Sequence, residues 1–400
     1  MEKHDAVDAL IVGGGPAGSS CARTLVQAGM RVLVVDRARF PRVKLCAGWL
    51  SQPIWDALEL RPDDYPRGLW RWDRCHVAYG GRQYTIPAVG YFIRRYEFDD
   101  FLLTRSGAEV KTGYAVKHIA RDGDSWVIND ELRARYLIGA GGTHCPVSRQ
   151  LFPAKSEPPV GVQEREYPVP ADELSQHRIG RDGEPELLLH NDLRGYAWNI
   201  SKTDWLNVGV GTLNPRDVRQ AWSAARAHFG AGGHLPSTGG EALDHMKGHS
   251  YYLYRDQNLD SCERDGAFLV GDALGLAQPL TAEGILPAVL SGRLCGEAIA
   301  AGDPARYRDR LADHPVIADY SLLRMLRDRG GQLRRGRGGD GDSGDGGQRV
   351  VPGLRLAKRL SEPVAHSAIA RGFAWMFSGR ALPGRRAISL WQRRARRHGR

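Results

Sequence analysis

Residues 7 to 36 constrain this chain more than any other stretch. An apolar run, Val7-Asp8-Ala9-Leu10-Ile11-Val12, leads into Gly13-Gly14-Gly15-Pro16-Ala17-Gly18. A helix-like stretch follows, then a second apolar run that ends at Asp36. Strand, Gly-x-Gly-x-x-Gly turn, helix, strand and acid, in that order, predict a dinucleotide-binding βαβ unit. Gly13 permits the tight turn, Gly15 lets the backbone approach a pyrophosphate, and Gly18 lets the helix pack closely on the strand. The helix N-terminus offers free N–H groups and a positive dipole end to phosphates. Asp36, eighteen residues past Gly18, is placed to accept hydrogen bonds from a ribose. Pro16, Ala17 and Arg37 flank these positions and are expected at the same ligand.

A second signature lies near residue 270. The apolar Ala267-Phe268-Leu269-Val270 runs into Gly271-Asp272, and a Gly/Pro-rich loop through Pro279 reaches Gly284-Ile285. Such a loop can set Asp272 on the ribityl chain of a flavin. A helix starting near Gly284 can aim its positive end at the flavin N1–C2=O edge, which becomes negative on reduction. Two dinucleotide-type elements about 250 residues apart are hard to explain with NAD alone, and they point to FAD. They resemble the FAD-binding halves of p-hydroxybenzoate hydroxylase-type flavoproteins.

Three further segments resemble geranylgeranyl reductases. Lys44-Leu45-Cys46-Ala47-Gly48 is similar to their Lys-Pro-Cys-Gly-Gly segment, and Tyr196-Ala197-Trp198-Asn199-Ile200-Ser201-Lys202 to their Tyr-x-Trp-x-Phe-Pro-Lys segment. Arg95-Tyr96-Glu97-Phe98-Asp99 matches an Arg-x-x-Phe-Asp pattern whose Arg lies near FAD. The resemblance covers roughly residues 5 to 300. It departs at Leu45 and Ala47, at Ile200-Ser201, and at Gly141, where the family has Asp. The last departure weakens any inference about how a nicotinamide cofactor docks. The resemblance implies FAD contacts at Lys44, Cys46, Ala47, Arg95, Gly141, Gly271, Asp272, Pro279, Gly284 and Ile285. It also implies that Cys46 faces the flavin ring. A thiol there can give a proton to the carbon opposite the one that takes hydride. Tyr196 and Trp198 alternate on one strand and so share a face, as an aromatic wall against substrate or flavin. His144 and Cys145, at a turn near the expected cofactor, are further candidates.

The expected fold is α/β. A discontinuous Rossmann-like FAD-binding domain takes residues 1–75, 92–150 and 264–312. An antiparallel β-sheet substrate domain takes residues 76–91 and 155–260. Within these, the strand patterns fall at 110–128 (a meander), 136–138, 159–163, 186–190, 196–201 and 206–211. Residues 329–348 are rich in Gly and Asp and read as a flexible linker. Residues 349–400 are a basic, amphipathic, helical tail.

Charge is unevenly placed. Residues 351–400 hold 12 Lys+Arg against one acid, Glu362, while the whole chain nets +10. The basic excess therefore sits in the tail, where Trp and Phe interleave with Arg. Such a helix suits either an anionic bilayer surface or packing on the body. No stacking or groove-reading module accompanies the charge, which argues against nucleic acid. Six cysteines without a Cys-x-x-Cys spacing argue against a zinc site or disulfide framework and fit a reducing cytoplasm. No metal site is expected. Neither a signal peptide nor an 18-residue apolar span is visible.

The expectation is an FAD-dependent oxidoreductase that reduces carbon–carbon double bonds in an apolar substrate, an isoprenoid among the candidates. NAD(P)H or a separate electron donor protein would supply electrons. Two alternatives stay open. One is a flavin monooxygenase or halogenase acting on an aromatic or natural-product substrate, since Tyr-x-Trp-x-Ile is similar to the Trp-x-Trp-x-Ile-Pro segment of halogenases. The other is a non-catalytic, membrane-docked flavin electron carrier.

Overall fold

Apolar runs without alternation build the first sheet. Ala9, Leu10 and Ile11 have no exposed surface, and neither do Val34, Val35, Leu137 and Ile138 on the flanking strands. A strand covered on both faces must be apolar throughout, as in parallel sheets clad by helices. In the computed structural model, which describes residues 6–335 apart from 182, 238 and 239, strand Val7–Val12 is central. It pairs in parallel with Val32–Asp36 on one side and Leu132–Gly139 on the other. Glu109–Thr112 extends the sheet beyond Val32–Asp36, and Ala267–Leu269 extends it beyond Leu132–Gly139. The expected meander over 110–128 is thus two things. Its first strand joins the sheet in parallel, and the antiparallel part is Ile119–Asp122 with Ser125–Ile128, continued by Leu132–Gly139.

Helix Pro16–Gln27 packs between this sheet and the long helix Ile285–Ala300. Gly18 is what lets it sit so low: a Cβ there would lie 1.9 Å from the Gly13 carbonyl oxygen. Gly13 itself has φ +115°, a conformation that side chains rarely adopt.

The second sheet runs Lys247–Tyr251, Val160–Pro168, Trp205–Thr212, Gly195–Lys202, Glu186–Leu189, Leu69–Tyr79, Arg82–Ile93 and Trp49–Ser51. Every joint is antiparallel except that of Glu186–Leu189 with Leu69–Tyr79. It therefore takes in residues 49–51 and 69–75 as well as the expected 76–91. One face is closed by helix Val218–Ala231, through Leu206, Val208, Val210, Trp222 and Phe229. The other face looks back at the first sheet.

At the C-terminal end, Tyr307, Leu311, Ile317, Tyr320 and Leu323 belong to the core of the first sheet, so that unit continues past the expected limit of 312. Helix Pro315–Arg335 also runs into the segment expected as a linker, making residues 329–335 helical. The remainder of that linker and the basic tail lie outside the described residues. Among the described residues, no helix is long and apolar enough to cross a membrane.

Candidate active site between the two sheets

A cavity of about 580 Å³ lies between the sheets, outside the carboxyl ends of the parallel strands. Its size is that of a site for a large organic ligand. Gly13, Gly15, Pro16 and Ala17 line one end, with Asp36 and Arg37 beside them. Gly15 is the N-cap of helix Pro16–Gln27 and no side chain caps it. A Cβ at Gly15 would meet only Arg42 Nη2, at 3.4 Å, so the turn is open toward the cavity. Gly284 and Ile285 line the cavity at a second helix N-terminus, again without a side-chain cap. Two uncapped helix ends on one cavity suit a ligand with a pyrophosphate and a second electron-rich edge.

The acid at the end of the second strand is partly engaged. Asp36 accepts the Gly14 N–H at 2.9 Å and the Ala38 N–H at 2.8 Å, and so stiffens the glycine turn as well as facing the cavity. Arg95 lines the cavity and forks onto buried Asp99 at 2.6 and 2.8 Å. Arg42 closes on the same carboxylate at 3.2 Å. Lys44, Cys46, Ala47, Gly141, His144 and Asp272 also line the cavity. Three expected contacts do not. Gly18 is under the helix, Gly271 turns its N–H to Ser291 Oγ, and the Pro279 carbonyl accepts Arg327. Cys145 is fully buried beneath the turn, where burial raises its pKa.

The facing wall comes from the second sheet. Tyr196, Trp198 and Ile200 alternate toward the cavity, while Asn199 turns away to the His234 carbonyl. Glycines make room for the rings. Gly209 pairs with Trp198, and a Cβ on it would lie 2.3 Å from the indole. Trp198 therefore lies flat across the neighbouring strand. Its Nε1 donates to Asn207 Oδ1 at 2.7 Å, and Asn207 Nδ2 donates to the Cys46 carbonyl at 3.2 Å. The Tyr196 hydroxyl donates to the Thr281 carbonyl at 2.6 Å, tying the wall to the loop before the second helix. Trp49, Leu187 and Val162 complete an apolar lining.

Residues without a candidate role in the sequence reading organise this wall. Lys202, with no exposed surface, donates to Glu166 at 2.8 Å and to the Ile93 carbonyl at 2.9 Å. Burial works against the Glu166 charge, but Lys202 and Arg94 outweigh it and hold the carboxyl below its usual range. Glu164 lines the cavity, accepts the Cys46 N–H, and is pushed up to about 8 by burial. Glu283 accepts the Ser51 hydroxyl at 2.6 Å and is pushed up to about 7, again by burial. Burial, with Lys44 and Arg95 adding to it, lowers His249 to about 3, so its ring is neutral. The available signal was alternation. Val160, Val162, Glu164 and Glu166 share one face of a strand that continues to Pro168, beyond the apolar stretch that marked it.

Comparison with known proteins decides among dinucleotide cofactors. Residues 6–59 match the model of an FAD binding domain. The chain is an FAD-dependent oxidoreductase, similar to the geranylgeranyl reductases. It is 29% identical to digeranylgeranylglycerophospholipid reductase 1 of Methanopyrus kandleri, over 76% of this chain and 85% of that one. It is 27% identical to menaquinone reductase of Mycobacterium tuberculosis, over 82% and 84%. It is also 27% identical to geranylgeranyl diphosphate reductase of Synechocystis, over 73% and 74%. A geranylgeranyl bacteriochlorophyll reductase-like protein of Thermoplasma acidophilum superimposes with a TM-score of 0.58 at 18% identity, covering 94% of this chain and 92% of that one. The same fold occurs in PqsL, a probable FAD-dependent monooxygenase from Pseudomonas aeruginosa (TM-score 0.56, 20% identity, 81% and 93% covered). It occurs too in the flavin-dependent halogenase CmlS (TM-score 0.59, 18% identity, 93% and 78% covered). The open glycine turn and the two uncapped helix ends of this flavoprotein fit FAD.

Proposed function

We propose that this flavoprotein reduces carbon–carbon double bonds of an apolar, isoprenoid-type substrate. The observation that carries the reading is the wall. Trp49, Val162, Leu187, Trp198 and Ile200 face the same cavity as the two helix N-termini that fit FAD. A prenyl chain buries its apolar surface against such a lining at about 25 cal/mol per Å². The curated relatives named as prenyl-chain or menaquinone reductases support the same reading.

Bound and reduced, FAD supplies a hydride. The residues of the chain do the rest. The glycine turn and the Gly284 helix end would hold the cofactor's phosphates and ring edge. Tyr196 and Trp198 press the substrate chain flat. Asn207 fixes Trp198 and the Cys46 loop together, so Cys46 borders the reacting double bond. The wall excludes water from that end of the cavity. Electrons arrive from NAD(P)H or from a separate donor protein, and the basic tail holds the enzyme to an anionic membrane where prenyl lipids reside.

Anaerobic incubation of FAD-loaded protein with dithionite and geranylgeranyl diphosphate tests this. Product mass should rise by two hydrogens per double bond reduced. Unchanged prenyl mass, with oxygen-dependent modification of an aromatic substrate, would refute it in favour of monooxygenase or halogenase chemistry.

A further inference from the structure

One cavity residue has a carboxyl oxygen with nothing to do. Glu164 is only 2% exposed and lines the cavity. Its Oε1 accepts the Cys46 backbone N–H, and its Oε2 makes no hydrogen bond within the protein. A buried oxygen left without a partner is costly unless a ligand or a bound proton answers it. Its position is set by strand register. Glu164 pairs with Gly209, and Gly209 pairs with Trp198. The three stand in one row across the sheet, with no side chain between the indole and the carboxyl. A substrate double bond pressed against Trp198 therefore lies beside Glu164.

The Cys46 Sγ accepts the Gly48 N–H at 3.3 Å, with the Arg95 guanidinium beside it. The charged and titratable groups around Glu164 are Lys44 and Cys46 on the facing loop, Glu166 on its own strand, Lys202 beyond the Trp205–Thr212 strand, and Lys247, His249 and Tyr251 on the other flanking strand. Lys202 is already taken by Glu166 and the Ile93 carbonyl. Burial is the largest influence on Glu164 and favours its neutral form.

We propose that Glu164 is the general acid of this cavity, giving its Oε2 proton to the substrate carbon opposite the one that takes hydride. The inference rests on the alkene-reduction reading above. In the step, the substrate π bond is consumed. One carbon gains a C–H bond from the hydride of a reduced flavin, which is thereby oxidised. The other carbon gains a C–H bond from Glu164, whose O–H breaks to leave a carboxylate. A water proton then restores the acid. Cys46 is a positioning residue whose backbone N–H orients the carboxyl.

Infrared titration of the FAD-loaded protein reads the acid without turnover. Besides the band of Glu283, a neutral carboxylic C=O band that disappears through about pH 8 should be present at pH 7 and be missing only in Glu164→Gln. Loss of no such band in the variant overturns the proposal. Single-turnover oxidation of the pre-reduced enzyme by geranylgeranyl diphosphate reads the step. The rate should fall about 10²- to 10⁴-fold in Glu164→Gln at unchanged FAD content. Its alkaline limb should vanish in that variant and persist in Cys46→Ala. Equal rates in wild type and Glu164→Gln overturn the proposal while leaving alkene reduction intact. If Glu164→Gln does not hold FAD, Glu164→Asp takes its place. A rate in Asp between wild type and background, with the limb shifted, supports the acid, and a limb unmoved overturns it. A wild type that leaves the prenyl chain untouched refutes the alkene reading and this role with it.

Discussion

Glu164 has a consequence for folding that needs no substrate. In an unfolded chain its carboxyl titrates near 4.5, and in the folded protein burial raises this to about 8. Between those values the native state holds a proton that the unfolded state has lost. Stability from this group is complete below about pH 4.5 and is lost as pH rises, by roughly 1.4 kcal/mol per pH unit, until native Glu164 itself ionises near pH 8. The accumulated loss is on the order of 4–5 kcal/mol. Glu164→Gln keeps the volume and an oxygen for the Cys46 N–H, but it has no proton to lose in either state. The stability of the variant minus that of wild type should therefore climb with pH at that slope and level off above about pH 8. Urea unfolding of both FAD-loaded proteins, from about pH 5 to pH 9, measures it as a difference in which all shared titrations cancel. A constant offset between the two curves would refute the reasoning, because it would mean that Glu164 is already ionised in the native protein.

Gly15→Ala should fold normally, since its Cβ meets only the flexible end of Arg42, yet bind FAD at least about tenfold more weakly by blocking phosphate approach. Gly18→Ala should instead lose about 2 kcal/mol or more of stability, because its Cβ collides with the Gly13 carbonyl; thermal unfolding and flavin content separate the two variants. Lys202→Met leaves Glu166 in a buried site with Arg94 as its remaining cation and should cost about 3 kcal/mol in urea unfolding, where a loss under about 1 kcal/mol would contradict the pairing. Trp198→Phe strands the Asn207 side-chain oxygen and should cost about 1–2 kcal/mol, and prenyl turnover should suffer more than FAD affinity.

The first sheet was legible because a doubly covered strand must be apolar along its whole length, and the glycine spacing then located the turn. Cys46, Tyr196, Trp198, Asp272 and Gly284 all reach one cavity, although they come from three separate stretches of chain. Pro279 and Gly271 sit in the right loop but turn elsewhere, since a motif marks a loop and not the direction of each carbonyl or N–H. Glu164 was hidden for a physical reason. An acid on a strand reads as solvent-facing until its neighbours are known, and here Gly209 on the adjacent strand and Trp198 on the one beyond decide that it faces the cavity. Lys202 was quoted as a motif position, but its burial depends on Glu166 and the Ile93 carbonyl, which register alone brings to it. The parallel joint between Glu186–Leu189 and Leu69–Tyr79 left no local trace either, because a crossover of that length is set by tertiary packing.

The most direct test of the central claim is the fate of reduced flavin in the absence of oxygen. Purified protein is loaded with FAD, bleached with dithionite under nitrogen, and mixed with geranylgeranyl diphosphate while flavin absorbance and prenyl mass are followed. The account predicts that the oxidised spectrum returns on mixing, with one equivalent of double bond saturated per flavin. A spectrum that stays bleached until air is admitted, with the prenyl chain unchanged, would contradict it.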